Sequence, residues 1–428
     1  NSMALLPSSG DFMENPMSDA LSAPSFQLDD TQDETRERPA WAAVVSLTFG
    51  VFGLVTAEFL PASLLTPMAN DIGVSVGAAG QAVTATAVVG AIAGLAAAIV
   101  TRGIDRRVVI WSLTGLLILS SAIAAIATNL PTLLFARVLL GIGLGAFWSM
   151  VAATAMRLVP PSALPKAMSL IFTGVSVATV SAAPIGAYIG NLMGWRFVFW
   201  LSALIGVVTL IVQMAVLPRL PARGSPDIRT LFRLLGQPSI ALVLAGIVVV
   251  ISGHFAGFTY VRPFLEQIPK LSVEAISLVL LAYGVGGFFG NLLGGAITAR
   301  SAKASVIFGA FAIALMGASL LLIGTSPIAS AVAVGLWGFA FGALPVGFQT
   351  WLVRVAPEDE AESAGGLLVA AFQVAIASGA VFGGLLVDGF GTLGVMAYAM
   401  IATLVGGLGV LLLGGKSPER VGAAAHAL

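Results

Sequence analysis

From Trp41 to Asp71 the chain reads WAAVVSLTFGVFGLVTAEFLPASLLTPMAND, and Glu58 is the only formal charge before Asp71 closes the stretch. A run this long and this apolar can cross the ~30 Å hydrocarbon core of a bilayer, so Trp41 opens a membrane-spanning helix. If the embedded part is Trp41 to Met68, a rise of ~1.5 Å per residue puts Glu58 about 5 Å beyond the midplane. A carboxylate at that depth is costly. Such groups face a bundle interior or a watered path, pair with another polar group, and mark ion or proton sites. Two readings of Glu58 stand: a proton-coupling group, or a protonated acid bonded to a neighbouring helix. The scarcity of other acids within apolar spans favours the first.

Of 428 residues only 9 % are charged, against about 25 % in a soluble domain. That composition belongs to an integral membrane protein and excludes an ordinary globular enzyme. With no cysteine there is neither a disulfide nor a thiolate metal site, and with His254 and His426 the only histidines a zinc centre is not expected. Catalytic motifs are also missing. No Gly-x-Ser-x-Gly occurs, and Gly414-Gly415-Lys416-Ser417 misses the phosphate-loop spacing because Val410 stands where a glycine is needed. The chain is therefore expected to bind no cofactor and no nucleic acid.

Residues 1–39 hold eight of the twenty acids and read as a disordered tail. Beyond them, apolar spans of about 20 residues alternate with short polar breaks, and eleven breaks separate twelve spans. Of twenty basic residues, all but Arg137, Arg196, Arg262 and Lys270 fall in the tails and the even-numbered breaks, which leaves sixteen on one side. The rule that Lys and Arg stay inside then makes both termini cytoplasmic. The longest break divides the chain into a six-helix bundle over 40–217, a cytoplasmic linker over 218–237, a second bundle over 238–415 and a tail over 416–428.

The two bundles repeat each other. A shift of 197 lays Gly90 on Gly287, Gly141 on Gly338, Gly145 on Gly342, Arg157 on Arg354, Pro160 on Pro357 and Gly186 on Gly383 without a gap. Parallel repeats of this kind hold substrate near the midplane between the halves. Span five carries Gly174, Ala178, Ala182, Gly186 and Gly190 at every fourth position, and span eight Ala282, Gly286, Gly290 and Gly294. These small-residue ridges let helix backbones approach closely and are expected to form the contact between halves. Pro184 is expected to bend the first.

The runs TAEFLPASLLTPMANDIGVSVGAAGQAVTATAVVG, TRGIDRRVVI, MRLVPPSALPKAMSLIF, GHFAGFTYVRP and LPVGFQTW resemble the drug and metabolite proton-antiporter branch of the major facilitator superfamily, and within it the bacterial exporters of purine ribonucleosides. The likeness extends from about Trp41 to Gly414. It implies an all-α fold of twelve transmembrane helices in two six-helix repeats, in the bacterial cytoplasmic membrane. The implied activity is proton-coupled efflux of small organic solutes, purine nucleosides first and sugars or hydrophobic drugs as the alternative. The partners would be solute, protons and lipid, the chain a monomer, and the proton gradient the energy source. Gly174, Pro184 and Gly186 are similar to the family's helix-five antiporter motif, and Arg137 with Gly141 and Gly145 to its helix-four motif. In the loop between spans two and three, Arg102 stands where the superfamily usually has Asp, and Asp105 where it has Gly; Arg106 and Arg107 remain.

Arg137 lies about 9 Å, and Glu58 about 15 Å, from the outer surface on the same rise per residue, a gap that an Arg side chain spans. A pair that opens on protonation would couple proton to solute; a permanent structural pair is the equal alternative. The repeat sets His254 one position from the equivalent of Glu58, so it is either a second proton group or a simple hydrogen-bonding one. Trp148, Phe258, Tyr260 and Tyr283 offer faces for a planar base, and Gln81, Gln349 and Gln373 offer donors and acceptors. Trp148 and Gln349 are the leading choices for a small-molecule pocket. Trp41, Trp111 and Trp195 read as interfacial anchors.

Overall fold

Backbone amides have no water to bond in hydrocarbon, so a chain built of apolar spans must satisfy them within helices. The computed structural model describes residues 39–101, 103–221, 228–357 and 360–413, and these form helices joined by tight connections. The first half comprises α1 Trp41–Ile72, α2 Val76–Val100, α3 Arg106–Ile126, α4 Leu130–Leu158, α5 Leu164–Met193 and α6 Trp195–Val216. Within the connecting segment lies a short helix, α7 Ile228–Leu235. The second half comprises α8 Pro238–Thr259, its continuation α9 Val261–Gln267, α10 Val273–Arg300, α11 Ala302–Ile323, α12 Pro327–Val355 and α13 Ala361–Leu413.

Eleven of these helices are long and apolar enough to span a membrane. The last is double. At 53 residues it would extend about 80 Å if straight, but Gly391 breaks it with φ 71° and ψ −176°, a conformation that favours glycine. The break separates two crossings, and the described residues thus accommodate twelve. The expected tails over 1–39 and 416–428 lie outside the described residues except for Pro39, as does 222–227 of the linker. Ala40 and Leu413 lie at one end of the bundle, here the proximal end; the α1–α2, α3–α4, α5–α6, α9–α10 and α11–α12 turns and Gly391 mark the distal end. Asn129, Ser272, Ser301 and Ser326 cap α4, α10, α11 and α12 by accepting from the amides of Thr132, Ala275, Ala304 and Ala329.

The internal duplication is visible as matched contacts. A Cβ on Gly145 would fall 2.0 Å from the carbonyl oxygen of Gly90, and one on Gly342 would fall 2.1 Å from that of Gly287. Helices α2 and α4 in the first half therefore touch backbone to backbone at the positions where α10 and α12 touch in the second. The ridges behave differently from the expectation. Gly174, Gly186 and Gly190 of α5 face Thr48, Leu60, Ser63 and Leu64 of α1, while Gly286, Gly290 and Gly294 of α10 face Gly335, Phe339 and Ala343 of α12. Both ridges pack inside their own half. Contact between the halves runs instead through Gly284 of α10, where an added Cβ would lie 2.6 Å from Val180 Cα of α5, and through α2 against α13. Pro184 sits inside a continuous α5 and leaves the carbonyl of Val180 at this crossing without its intrahelical N–H.

Three tryptophans at helix ends each carry a cation over the ring: Lys166 Nζ lies 5.3 Å from Trp41, Arg107 4.8 Å from Trp111 and Arg196 4.4 Å from Trp195.

Replacing Gly145 or Gly342 with alanine should destabilise the fold by about 1–3 kcal/mol, since the backbone opposite cannot rotate away. Gly115→Ala and Gly295→Ala, where nothing lies within 4 Å of the added carbon, should be neutral. Thermal unfolding of the four variants in detergent measures the difference.

Candidate functional site

A proline within a helix removes the N–H that would bond the carbonyl four residues earlier. Pro61 in α1 does this to Ala57, and in lipid a carbonyl so freed needs another donor. Arg137 of α4 supplies it. Its Nη2 donates to Ala57 O at 3.0 Å and to Glu58 O at 3.4 Å, while its Nε donates to Thr86 Oγ1 at 3.1 Å and to Ala82 O at 3.4 Å on α2. The guanidinium is 1 % exposed and ties three helices together.

Glu58 is adjacent, but no ion pair joins the two side chains among the described residues; the guanidinium bonds backbone and hydroxyl, and acts on the carboxylate only as a nearby charge. The expected Glu58–Arg137 pair is thus replaced by a fixed Arg137 beside a carboxylate that it leaves open. Glu58 Oε1 is enclosed and has no hydrogen-bond partner. The Gln373 amide of α13, from the other half, lies near the carboxylate, and its own Oε1 is likewise enclosed without a partner.

His254 is fully buried in α8 among aromatic rings. Phe341 stacks on it with centroids 3.7 Å apart, Phe258 lies parallel at 5.9 Å, and Tyr283 stacks on Phe258 at 4.9 Å. Trp337 Nε1 donates to His254 Nδ1 at 2.9 Å, and Nε2 faces the Tyr283 hydroxyl at 3.3 Å. An indole N–H can only donate, so Nδ1 is an acceptor and the ring is the neutral Nε2–H tautomer. In this packing both ring nitrogens of His254 are bonded, within the aromatic cluster that surrounds it. Phe258 and Tyr283, expected as surfaces for a base, are spoken for by the same cluster.

Polar bonds tie the halves together at the distal end. Pro67 frees the carbonyl of Ser63 as Pro61 frees that of Ala57, and Arg262 of α9 donates to it from the opposite half. Arg262 Nε also bonds Glu266 Oε1 at 2.7 Å, and Thr66 Oγ1 donates to Glu266 Oε2 at 2.6 Å. On the other side, Asp388 of α13 accepts from Ser75 Oγ at 2.6 Å and from the Gly77 amide at 3.0 Å, at the start of α2. Between these anchors Tyr260 is wedged against Gly80, Gly383 and Gly384 and donates to Ala380 O at 3.0 Å. Gln81 lies against Gly384 beside it. Both belong to this distal seal and not to an open face.

At the proximal end Asp105 caps α3 by accepting from the Arg107 amide at 2.9 Å and also accepts from the Leu220 amide at 3.0 Å, which fastens the start of the connecting segment. Arg106 bonds Thr101 Oγ1 at 2.6 Å. Arg102 lies outside the described residues. Trp148 is half-buried and stacks on Phe172 of α5 at 5.9 Å, and Gln349 of α12 is exposed.

The profile of the Major Facilitator Superfamily matches residues 47–361 and 242–427. The chain belongs to the major facilitator superfamily. A purine ribonucleoside efflux pump, NepI, of Escherichia coli O1:K1 is 42 % identical over 354 residues, which cover 83 % of this chain and 89 % of the relative. The NepI of Salmonella paratyphi B is 40 % identical over 360 residues, covering 84 % and 90 %. Among solved structures, a bacterial homologue of the human lysosomal transporter Spinster, in an inward-facing and occupied conformation, superposes with a TM-score of 0.70 at 14 % identity, over 88 % of this chain and 97 % of that one. The human organic anion transporter MFSD10 superposes with a TM-score of 0.66 at 15 % identity, over 87 % and 100 %. These two show the fold alone.

As a major facilitator the chain is a multi-pass membrane transporter for a small molecule, and its polar groups divide accordingly. Arg137 is bound within one half, and Arg262, Glu266 and Asp388 bind across the halves. Sequence reasoning passed over Arg262 and Glu266 as site residues and weighed Asp388 only as an alternative proton carrier, although Pro61 and Pro67 in FLPASLLTPMAND already mark two carbonyls that need donors.

Asp388→Ala removes the acceptor of two bonds between halves, worth about 1 kcal/mol together at an exposed site, a roughly fivefold change in the closed-to-open ratio. Nitroxides at Leu192 and Leu278, at the distal ends of α5 and α10 in this cysteine-free chain, should report a longer and broader distance distribution in that variant than in its parent.

Proposed function

We propose that the protein exports purine ribonucleosides in exchange for protons, by alternating access between the two halves. It works as a monomer in the bacterial cytoplasmic membrane, driven by the proton gradient and needing no cofactor. The nucleoside assignment follows the two relatives named as purine ribonucleoside efflux pumps. The proton assignment rests on one observation above others: Glu58 is an acid within a membrane span whose Oε1 is enclosed and unpartnered while the neighbouring Arg137 is committed to backbone. Such a carboxyl can take up or release a proton without breaking a scaffold bond.

Sixteen of twenty basic residues at the proximal end and in the tails favour a cytoplasmic location for that end and for both termini. The distal bonds are then a closed periplasmic side, and solute would enter from the cytoplasm. Trp148 lies about 15 Å and Gln349 about 9 Å from the proximal ends of their helices, on opposite halves, which suits a purine stacked on one and bonded by the other.

Glu58→Gln should keep the fold and solute binding but abolish transport driven by a pH gradient in liposomes, whereas His254→Gln should lower thermal stability and leave that drive intact. Undiminished uphill export by Glu58→Gln would end the proton assignment. For the substrate, Trp148→Ala should weaken all purine nucleosides roughly tenfold, since base stacking is worth about 1–3 kcal/mol. Gln349→Ala should change the order of preference among inosine, guanosine and adenosine, because an unpaired polar edge costs about 1–3 kcal/mol. Binding isotherms for the three nucleosides separate the two effects, and a response to sugars or hydrophobic drugs in their place would overturn the nucleoside assignment.

A further inference from the structure

Gln373 has the chemistry to answer to both states of Glu58. Its amide comes from the other half, on α13 where that helix packs on α2, and lies near the carboxylate. One oxygen of each side chain, Glu58 Oε1 and Gln373 Oε1, is enclosed with no partner. An ionised Glu58 can only accept, and it takes the amide N–H; a protonated Glu58 has an O–H to donate, and the amide oxygen is the acceptor that waits for it.

The surroundings leave this exchange to the amide alone. Arg137 is committed to Ala57 O and Thr86 Oγ1, and α2 carries no charged residue from Val76 to Val100. On the α8 side, Phe59 packs against Phe255 and Phe258, behind which His254 and Tyr283 are bonded to one another. The remaining charges of the helices around α1, such as Lys166, Arg196 and Asp388, lie at helix ends. Room for the amide comes from Gly90, where a Cβ would sit 3.3 Å from Gln373 Cδ and Oε1.

We propose that Gln373 is a positioning residue through which the second half responds to the protonation of Glu58, its amide reversing donor for acceptor as the proton arrives, and that it is not a solute contact. This rests on Glu58 as the proton group.

The test uses the full chain in nanodiscs with nitroxides at Met156 and Val353, near the proximal ends of α4 and α12, one on each half. In the parent the distance distribution should change between about pH 3.5 and 8.5, a window that brackets ordinary carboxyl and histidine titration, and Glu58→Gln should abolish the change. Gln373→Met, which fills the same space without an amide, should also abolish it while inosine affinity stays within about threefold of the parent. Gly90→Ala, which crowds the amide and removes no polar group, should blunt the response and keeps the test open if Gln373→Met does not fold. A pH response retained in Gln373→Met, or a loss of inosine binding with the response intact, would overturn the role of Gln373 and leave Glu58 standing. A parent with no pH response, or one that Glu58→Gln retains, would overturn both.

Discussion

Two carbonyls in α1 have no helical donor, and much of the molecule is arranged around supplying one. In water the gaps left by Pro61 and Pro67 would be filled by solvent. In hydrocarbon they must be filled by protein, at a cost of several kcal/mol for each group left bare. Arg137 fills the first from α4 and Arg262 fills the second from α9. The first donor belongs to the same half as its acceptor and the second to the opposite half. One device, used twice on one helix, therefore gives a permanent brace in the first case and a contact that domain motion can break in the second. It also bears on Glu58: Nε and Nη2 of the cation beside it bond α1 and α2, not the carboxylate.

Close packing follows the same division only in part. Within each half glycine lets backbones touch, at Gly90 on Gly145, Gly287 on Gly342 and the α5 and α10 ridges on α1 and α12, and across the halves it does so at Gly284 on Val180. Such contacts are made of many small dispersion terms and tolerate almost no sliding. The distal boundary between halves is held by fewer, polar bonds through Asp388, Arg262 and Glu266, with Tyr260 as a wedge. Once that end opens, water can replace each of those bonds. A transporter needs rigid halves and an exchangeable boundary, and the exchangeable polar bonds are gathered at the distal end of that boundary.

The spans, the duplication and the exceptional position of Glu58 were legible in the sequence because each depends on depth along a helix, which residue count supplies directly. Partners were less legible. Depth placed Arg137 within reach of Glu58, but the rotation of α4 and the freed Ala57 carbonyl sent its donors to the backbone. The glycine periodicity identified the ridges on α5 and α10 without saying which neighbour each would meet, and both meet a helix of their own half. Tyr260 and Gln81 read as binding groups from residue type alone; their place against Gly80, Gly383 and Gly384 emerges only when α2 and α13 are brought together. Pro61 and Pro67 were the signal that could have led further, since a proline in a membrane helix names the carbonyl it orphans.

His254 and Glu58 occupy nearly equivalent places in the two repeats, and their surroundings have diverged. The histidine has both ring nitrogens bonded and a phenyl ring stacked at 3.7 Å, so changing its charge would disturb Trp337, Tyr283 and Phe341 together. The glutamate has an oxygen without a partner and a neighbour from the other half that can donate or accept. Duplication would by itself have given two like sites. One now lies in an aromatic cage with both ring nitrogens bonded, and the other is left short of a hydrogen bond, so the two surroundings differ where the repeat would have made them alike. On the reading proposed above, an acid short of a hydrogen bond beside a polar side chain of the other half would let a proton bias the relative position of the two halves without breaking the bonds that brace either.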